Sequence, residues 1–230
     1  MGKKNIVMYC IFIIVIALLC WYFFLSPKHN TELIEGGSML SYDKPFSSVE
    51  LPEGVPDYVI ERMNYTIDNA KKMHEEAPDI WETWIAIGNM YGMIGKYEYA
   101  IDAYLKSLEI QGNNIVAHRN IAEVYRVNLK DNNRAEQYYK IAIEQNFSDP
   151  SLYLTLSKIQ YKQLNNLENA EKTLFDGLQK TGGHPDILVA IITLYEDSGQ
   201  IQKQKEVVKT LLTRFPDNQL YKEAWGDLVE

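Results

Sequence analysis

Cysteine is almost missing from this chain: Cys10 and Cys20 are the only two, and both lie in one apolar run near the N-terminus. The rest of the sequence therefore has neither a disulfide framework nor a thiolate metal site. Histidine is nearly as scarce. His29, His74, His118 and His184 are far apart, with no HExxH and no pair at i, i+3 or i+4 to hold a metal. Phosphate-binding loops, nucleophile elbows, dinucleotide glycine patterns and kinase signatures are also lacking. Positive charge is outnumbered, 23 Lys and Arg against 31 Asp and Glu, and the net charge of −8 makes the chain a poor partner for nucleic acid or anionic lipid. These absences point away from an enzyme, a resident cofactor or metal, a small-molecule substrate and a nucleic-acid partner.

Long uncharged runs are missing too, with one exception. Ile6 to Leu25 is a 20-residue stretch without charge, which as a helix at about 1.5 Å per residue spans roughly 30 Å, enough for a bilayer core. It ends in Trp21-Tyr22-Phe23-Phe24, an aromatic cluster suited to the membrane interface and unlike the small residues of a signal-peptide cleavage site. Residues 1–25 are therefore expected to form an uncleaved transmembrane helix. Lys3 and Lys4 precede it, against Lys28 just after it, so the positive-inside rule places the N-terminus in the cytoplasm and the remainder outside it. Residues 26–56, rich in Pro, Gly and Ser and without sustained periodicity, read as a flexible tether.

Beyond the tether the chain repeats itself. Tyr91, Tyr125, Tyr161 and Tyr195 stand 34, 36 and 34 residues apart, each in a helix-like stretch. Such a period marks a stack of small units, none able to bury its apolar face alone. In the first copy Trp84, Ile87, Gly88, Tyr91, Ala100 and Tyr104 are followed in the second by His118, Ile121, Ala122, Tyr125, Ala135 and Tyr139, with one extra residue between Tyr125 and Ala135. The third copy places Leu154, Ser157, Lys158, Tyr161, Ala170 and Leu174 at these positions, and the fourth Leu188, Ile191, Ile192, Tyr195, Gln204 and Val208. Small residues such as Gly88, Ala100 and Ala135 allow two helices to approach closely, and the large ones fill the space between them. The turns fall at Gly95-Lys96, Lys130–Asn133, Asn165-Asn166 and Ser198–Gln200, while Asp149-Pro150 and His184-Pro185 read as helix starts. The period tyrosines and His118 are expected to be packing residues.

These positions resemble the tetratricopeptide repeat family, whose pattern is W-x2-L-G-x2-Y followed by a small residue, an aromatic and a proline. The resemblance implies an all-α helical-repeat solenoid coiled as a right-handed superhelix. Residues 57–78 would be the leading helix of an incomplete repeat, 79–216 four repeats and 217–230 a capping helix. It further implies that the first helix of each repeat lines a concave, partner-binding face. Carried onto this chain, that face includes Asn89, Arg119, Asn120, Glu123, Arg126, Ile159 and Lys162. Asn89 and Asn120 match the asparagines of the family's two-carboxylate clamp, but Ile85, Leu152 and Leu156 replace its cations, which disfavours that ligand. An extended or helical peptide of some acidic character fits better. The expected function is a membrane-anchored scaffold for a protein or peptide partner; the alternatives are an extracytoplasmic envelope-complex assembly factor and a non-catalytic subunit of an enzyme complex.

Overall fold

The computed structural model describes residues 56–77 and 80–229. The expected transmembrane helix, the tether, Pro78 and the side chains of Met63, Ile67 and Ala70 lie outside the described residues. Among the described residues no helix is long and apolar enough to cross a membrane. The architecture is all helical: α1 (Asp57–Glu76), α2 (Trp81–Met93), α3 (Tyr97–Ile110), α4 (Ile115–Glu123), α5 (Asn132–Gln145), α6 (Pro150–Lys158), α7 (Leu167–Lys180), α8 (Pro185–Asp197), α9 (Ile201–Arg214) and α10 (Gln219–Trp225). From α2 to α9 they pair as first and second helices of four repeats, and α1 packs on α2. Side-chain caps start several of them. Asn114, Asp131, Asp149 and Asn166 each accept a hydrogen bond from a backbone N–H of the following first turn, satisfying donors that the helix itself leaves unpaired.

Two first helices do not end as α-helices. α4 continues as a π-helical segment, Val124–Leu129, and α6 as another, Ile159–Gln163. A π turn absorbs one additional residue, and the backbone shows where it went. In every repeat the residue before the second helix donates its N–H to the carbonyl at the tyrosine position: Lys96 to Tyr91, Asp131 to Tyr125, Asn166 to Gln160 and Gln200 to Tyr195. In the first and fourth repeats this bond spans five residues, and in the second and third it spans six. The left-handed residue of each turn moves with it, from Gly95 and Gly199 to Lys130 and Asn165.

Hence the third repeat's tyrosine position is held by Gln160, not Tyr161. The first helix of that copy sits one residue earlier than the tyrosine period implies: Tyr153, Leu156 and Ser157 are buried where Leu154, Ser157 and Lys158 were expected, and Lys158 is exposed. The lysine in place of a small residue was an artefact of register, since Ser157 is the small residue.

The contact between the two helices of a repeat is built on complementary size. A Cβ added at Gly88 would fall 2.4 Å from a ring carbon of Tyr104. The equivalent buried pairs are Ala122 with Tyr139, Ser157 with Leu174, and Ile192 with Val208. Glycine and alanine on the first helix face tyrosine, whereas the larger Ser157 and Ile192 face the smaller Leu174 and Val208, as close packing of the two helices requires. His118, in the tryptophan position, is buried with its ring 6.1 Å from that of Tyr138. At the C-terminal end, Tyr221, Trp225 and Leu228 pack on the core of Leu188, Ile192, Val208 and Leu211 and cover the last repeat.

Candidate functional site

The first helices carry the polar side chains that sequence reasoning placed on a binding face. Asn89 of α2 accepts hydrogen bonds from Tyr104 Oη at 2.8 Å and from Asn120 Nδ2 of α4 at 3.3 Å, which joins repeats one and two. Arg126, in the π-helical segment that continues α4, donates to Glu123 Oε2 at 2.6 Å, and Glu123 Oε1 accepts from the Tyr139 hydroxyl. Arg119 is exposed on the same helix. Lys162 lies on the π turn after α6 and pairs with Asp197 of α8 at 2.7 Å. Of the seven expected residues, Asn89 and Asn120 thus join repeats one and two, Arg119, Glu123 and Arg126 lie on the first helix of the second repeat and its π-helical continuation, and Lys162 in the third repeat bonds to the fourth.

Ile159 is a correction: it is buried at 1% exposure and belongs to the core. The register shift explains this, because every assignment on the third first helix moves back by one. The positions equivalent to Asn89 and Glu123 pass to Lys158, which is exposed, and Leu154 and Tyr161 become partly exposed neighbours. The turn chemistry held the missing signal. Counting back six residues from the capping Asn166, as from Asp131 in the second repeat, lands on Gln160.

A second polar network crosses between repeats. The tyrosine-position residue reaches an acid on the preceding second helix: Gln160 Nε2 donates to Glu136 at 2.9 Å, and Tyr195 Oη to Glu171 at 2.6 Å. Lys203 also reaches Glu171, at 3.0 Å. The Tyr195 hydroxyl, and then Lys203, hold the Glu171 carboxyl below its ordinary value of 4.5. A carboxylate depressed in the folded state stabilises above the unfolded value and loses that contribution as pH falls through the folded one. Acidification below about 4.5 should accordingly raise amide exchange in α8 and α9 before it does so in α2 and α3, and Glu171→Gln should remove the difference. Uniform acid sensitivity along the array would contradict this coupling.

A cavity of about 720 Å³ opens between α5, α6 and α7. None of the seven expected residues lines it. Tyr153, Leu156 and Gln160 face it from α6, and charged side chains line it on α5 and α7. Among the described residues no group of three His, Cys, Asp or Glu is placed to hold a metal ion.

Residues 82–114 match the family model described as tetratricopeptide repeat. No curated protein matches the sequence. Among solved structures the chain resembles MamA, with a TM-score of 0.53 and 18% identity over 74% of this chain and 88% of that one. It also resembles a tetratricopeptide repeat protein from Parabacteroides merdae ATCC 43184, with a TM-score of 0.51 and 18% identity over 75% and 71% of the two chains. Likeness at this level of identity speaks for the fold.

Proposed function

We propose that this chain, whose described residues take the tetratricopeptide repeat fold, is a non-catalytic scaffold that holds a protein or peptide partner on its first-helix face. The observation that carries the proposal is that neighbouring first helices are tied side by side by polar bonds, Asn89 to Asn120 and Lys162 to Asp197, while Arg119 and Lys158 reach solvent with no ion pair among the described residues. Long cations beside the partly exposed Leu154 and Tyr161 suit an acidic peptide with apolar anchors. Arg126 is already engaged by Glu123, so it contributes more to the shape of the face than to capture.

The partner would be met at a membrane. The Ile6–Leu25 run supplies the anchor and the Lys3-Lys4 pair its orientation, with the repeats outside the cytoplasm. Protease added to intact cells, or to spheroplasts where an outer membrane is present, should digest the repeats; protection until lysis would reverse the topology.

Crosslinking and co-purification from the native membrane would identify the partner and separate a scaffold from an envelope assembly factor or an enzyme subunit. The double variant Arg119→Ala with Lys158→Ala should then reduce capture by at least about ten-fold. Its melting curve should stay within the roughly 0.5 kcal/mol typical of exposed sites. Capture that survives intact would remove the first-helix face from consideration.

A further inference from the structure

We propose that the cavity between α5, α6 and α7 binds a free aromatic α-amino acid, its ring inserted beside Tyr153 and Thr173 and its two charged groups held by Lys172 and Asp176. The site is separate from the first-helix face, since neither Arg119 nor Lys158 lines it. Two positions decide how each repeat fills the space behind its first helix. One is the tyrosine position, held by Tyr91, Tyr125, Gln160 and Tyr195. The other lies on the second helix, seven residues beyond the residue that precedes it, and is held by Ala103, Tyr138, Thr173 and Val207. The second repeat has a ring at both, and Tyr125 stacks on Tyr138 with centroids 5.8 Å apart. The first and fourth have one ring each. The third has none: Thr173 Oγ1 donates to Gln160 Oε1 at 2.8 Å where its neighbour stacks two rings, and the cavity of about 720 Å³ opens over this pair.

A cavity of that size falls in the range of small-ligand sites, and its walls suit an aromatic ring. Tyr153 lines it from α6, in the position from which His118 faces Tyr138 at 6.1 Å in the second repeat. An entering ring would meet Tyr153 as Tyr138 meets His118, at a separation typical of aromatic pairs. Tyr153 is fixed for this contact. Its hydroxyl donates to the Phe147 carbonyl at 2.9 Å, and its ring lies against Gly177, where a Cβ would fall 2.6 Å from it. Leu156 adds apolar surface. The polar floor is complete in itself, because Gln160 Nε2 donates to Glu136 while Gln160 Oε1 accepts from Thr173. A ring laid over it strands no buried donor.

The rim supplies both signs of charge. Lys172 and Asp176 stand at i and i+4 on α7, about 6 Å apart along the axis, with Thr173 between them in sequence. Both line the cavity and are exposed, and neither forms an ion pair among the described residues. A carboxylate and an ammonium on one carbon next to the ring complement this pair. A ligand with one charge leaves one of the two unmatched, and nucleic acid would meet Asp176 and Glu144.

Isothermal titration of phenylalanine, tyrosine and tryptophan into the full chain in mild detergent tests this directly. At least one should bind saturably below about 10 mM, as ligands of this size allow. Lys172→Ala and Asp176→Ala should each weaken binding about three- to five-fold, the range of an exposed ion pair. Phenethylamine, which keeps only the ammonium, should bind more weakly than phenylalanine by a similar factor and should not respond to Lys172→Ala. Gln160→Tyr with Thr173→Tyr rebuilds the ring pair of the second repeat and should abolish binding without lowering Tm. If that variant fails to fold, the two rim changes still decide, because both positions are exposed. Absence of saturable binding would overturn the proposal, as would binding that survives the rebuilt ring pair or ignores both rim changes. N-acetylphenylalanine amide binding as tightly as phenylalanine would also do so, by assigning the cavity to a protein side chain, and loss of binding on Arg119→Ala with Lys158→Ala would move the site to the first-helix face.

Discussion

Gly88→Leu should lower the stability of the array by roughly 1–3 kcal/mol, the range for overpacking a well-filled contact. Its Cβ alone would sit 2.4 Å from Cε1 of Tyr104, closer than two carbons approach, and Tyr104 is buried at 4% exposure with its hydroxyl held by Asn89. For a domain of this size each kcal/mol is worth roughly 2–4 °C in Tm. The fourth repeat supplies its own control, since it solves the same contact with Ile192 and Val208. Gly88→Ile combined with Tyr104→Val should recover more than half of what Gly88→Ile alone loses, although the Asn89 bond goes with the tyrosine. Urea midpoints measure both effects. An unchanged midpoint for Gly88→Leu would mean that the ring of Tyr104 moves aside at no cost, and a failed rescue would mean that the pairs are not equivalent.

Alkaline unfolding should be the other large effect. Burial pushes the Tyr104 hydroxyl up to about 12, with the Asn120 side chain opposing. Burial first, and then neighbouring acids or tyrosines, raises Tyr138, Tyr139 and Tyr195 further. A folded value above the unfolded 10.0 means that the stability is fully present below pH 10 and drains away as pH rises towards the folded value. At one unit above the unfolded value, Tyr104, Tyr138 and Tyr139, all buried, each cost about 1 kcal/mol. Together that is a sizeable fraction of a typical domain's stability. Helix signal and tyrosinate absorbance should change together, in one cooperative step between about pH 10 and 12. Tyrosinate that appears gradually while the helices persist would show that the ring environments open locally.

Much of the fold was legible because each repeat states the same packing problem. Trp84, Ile87, Gly88 and Ala100 declare a close helix pair by size alone, and Gly95, Asp149-Pro150 and His184-Pro185 punctuate it. The third first helix was misread for an equally physical reason. Tyr161 lies nine residues before Ala170, as Tyr91 does before Ala100, so a tyrosine next to the true position satisfied the period while the inserted residue hid in a π turn. That single residue turned Ile159 from a supposed groove residue into core and concealed Lys158. Of the residues expected on the first-helix face, sequence spacing grouped Glu123 with Arg126, which the structure joins in an ion pair. It was silent on the bonds from Asn89 to Asn120 and from Glu123 to Tyr139, because those depend on how separate helices meet.

The two π turns also decide where this array is divisible. A repeat that spans six residues from its turn carbonyl to the next helix cannot replace one that spans five without rotating everything beyond the junction by about 100°, the angle of one residue on a helix. Exchanges between the second and third repeats, or between the first and fourth, keep the phase. A chimera or truncation cut by counting tyrosines would turn the third repeat's core outwards, whereas cuts placed at the carbonyls of Tyr91, Tyr125, Gln160 and Tyr195 leave each module facing the way its neighbours require.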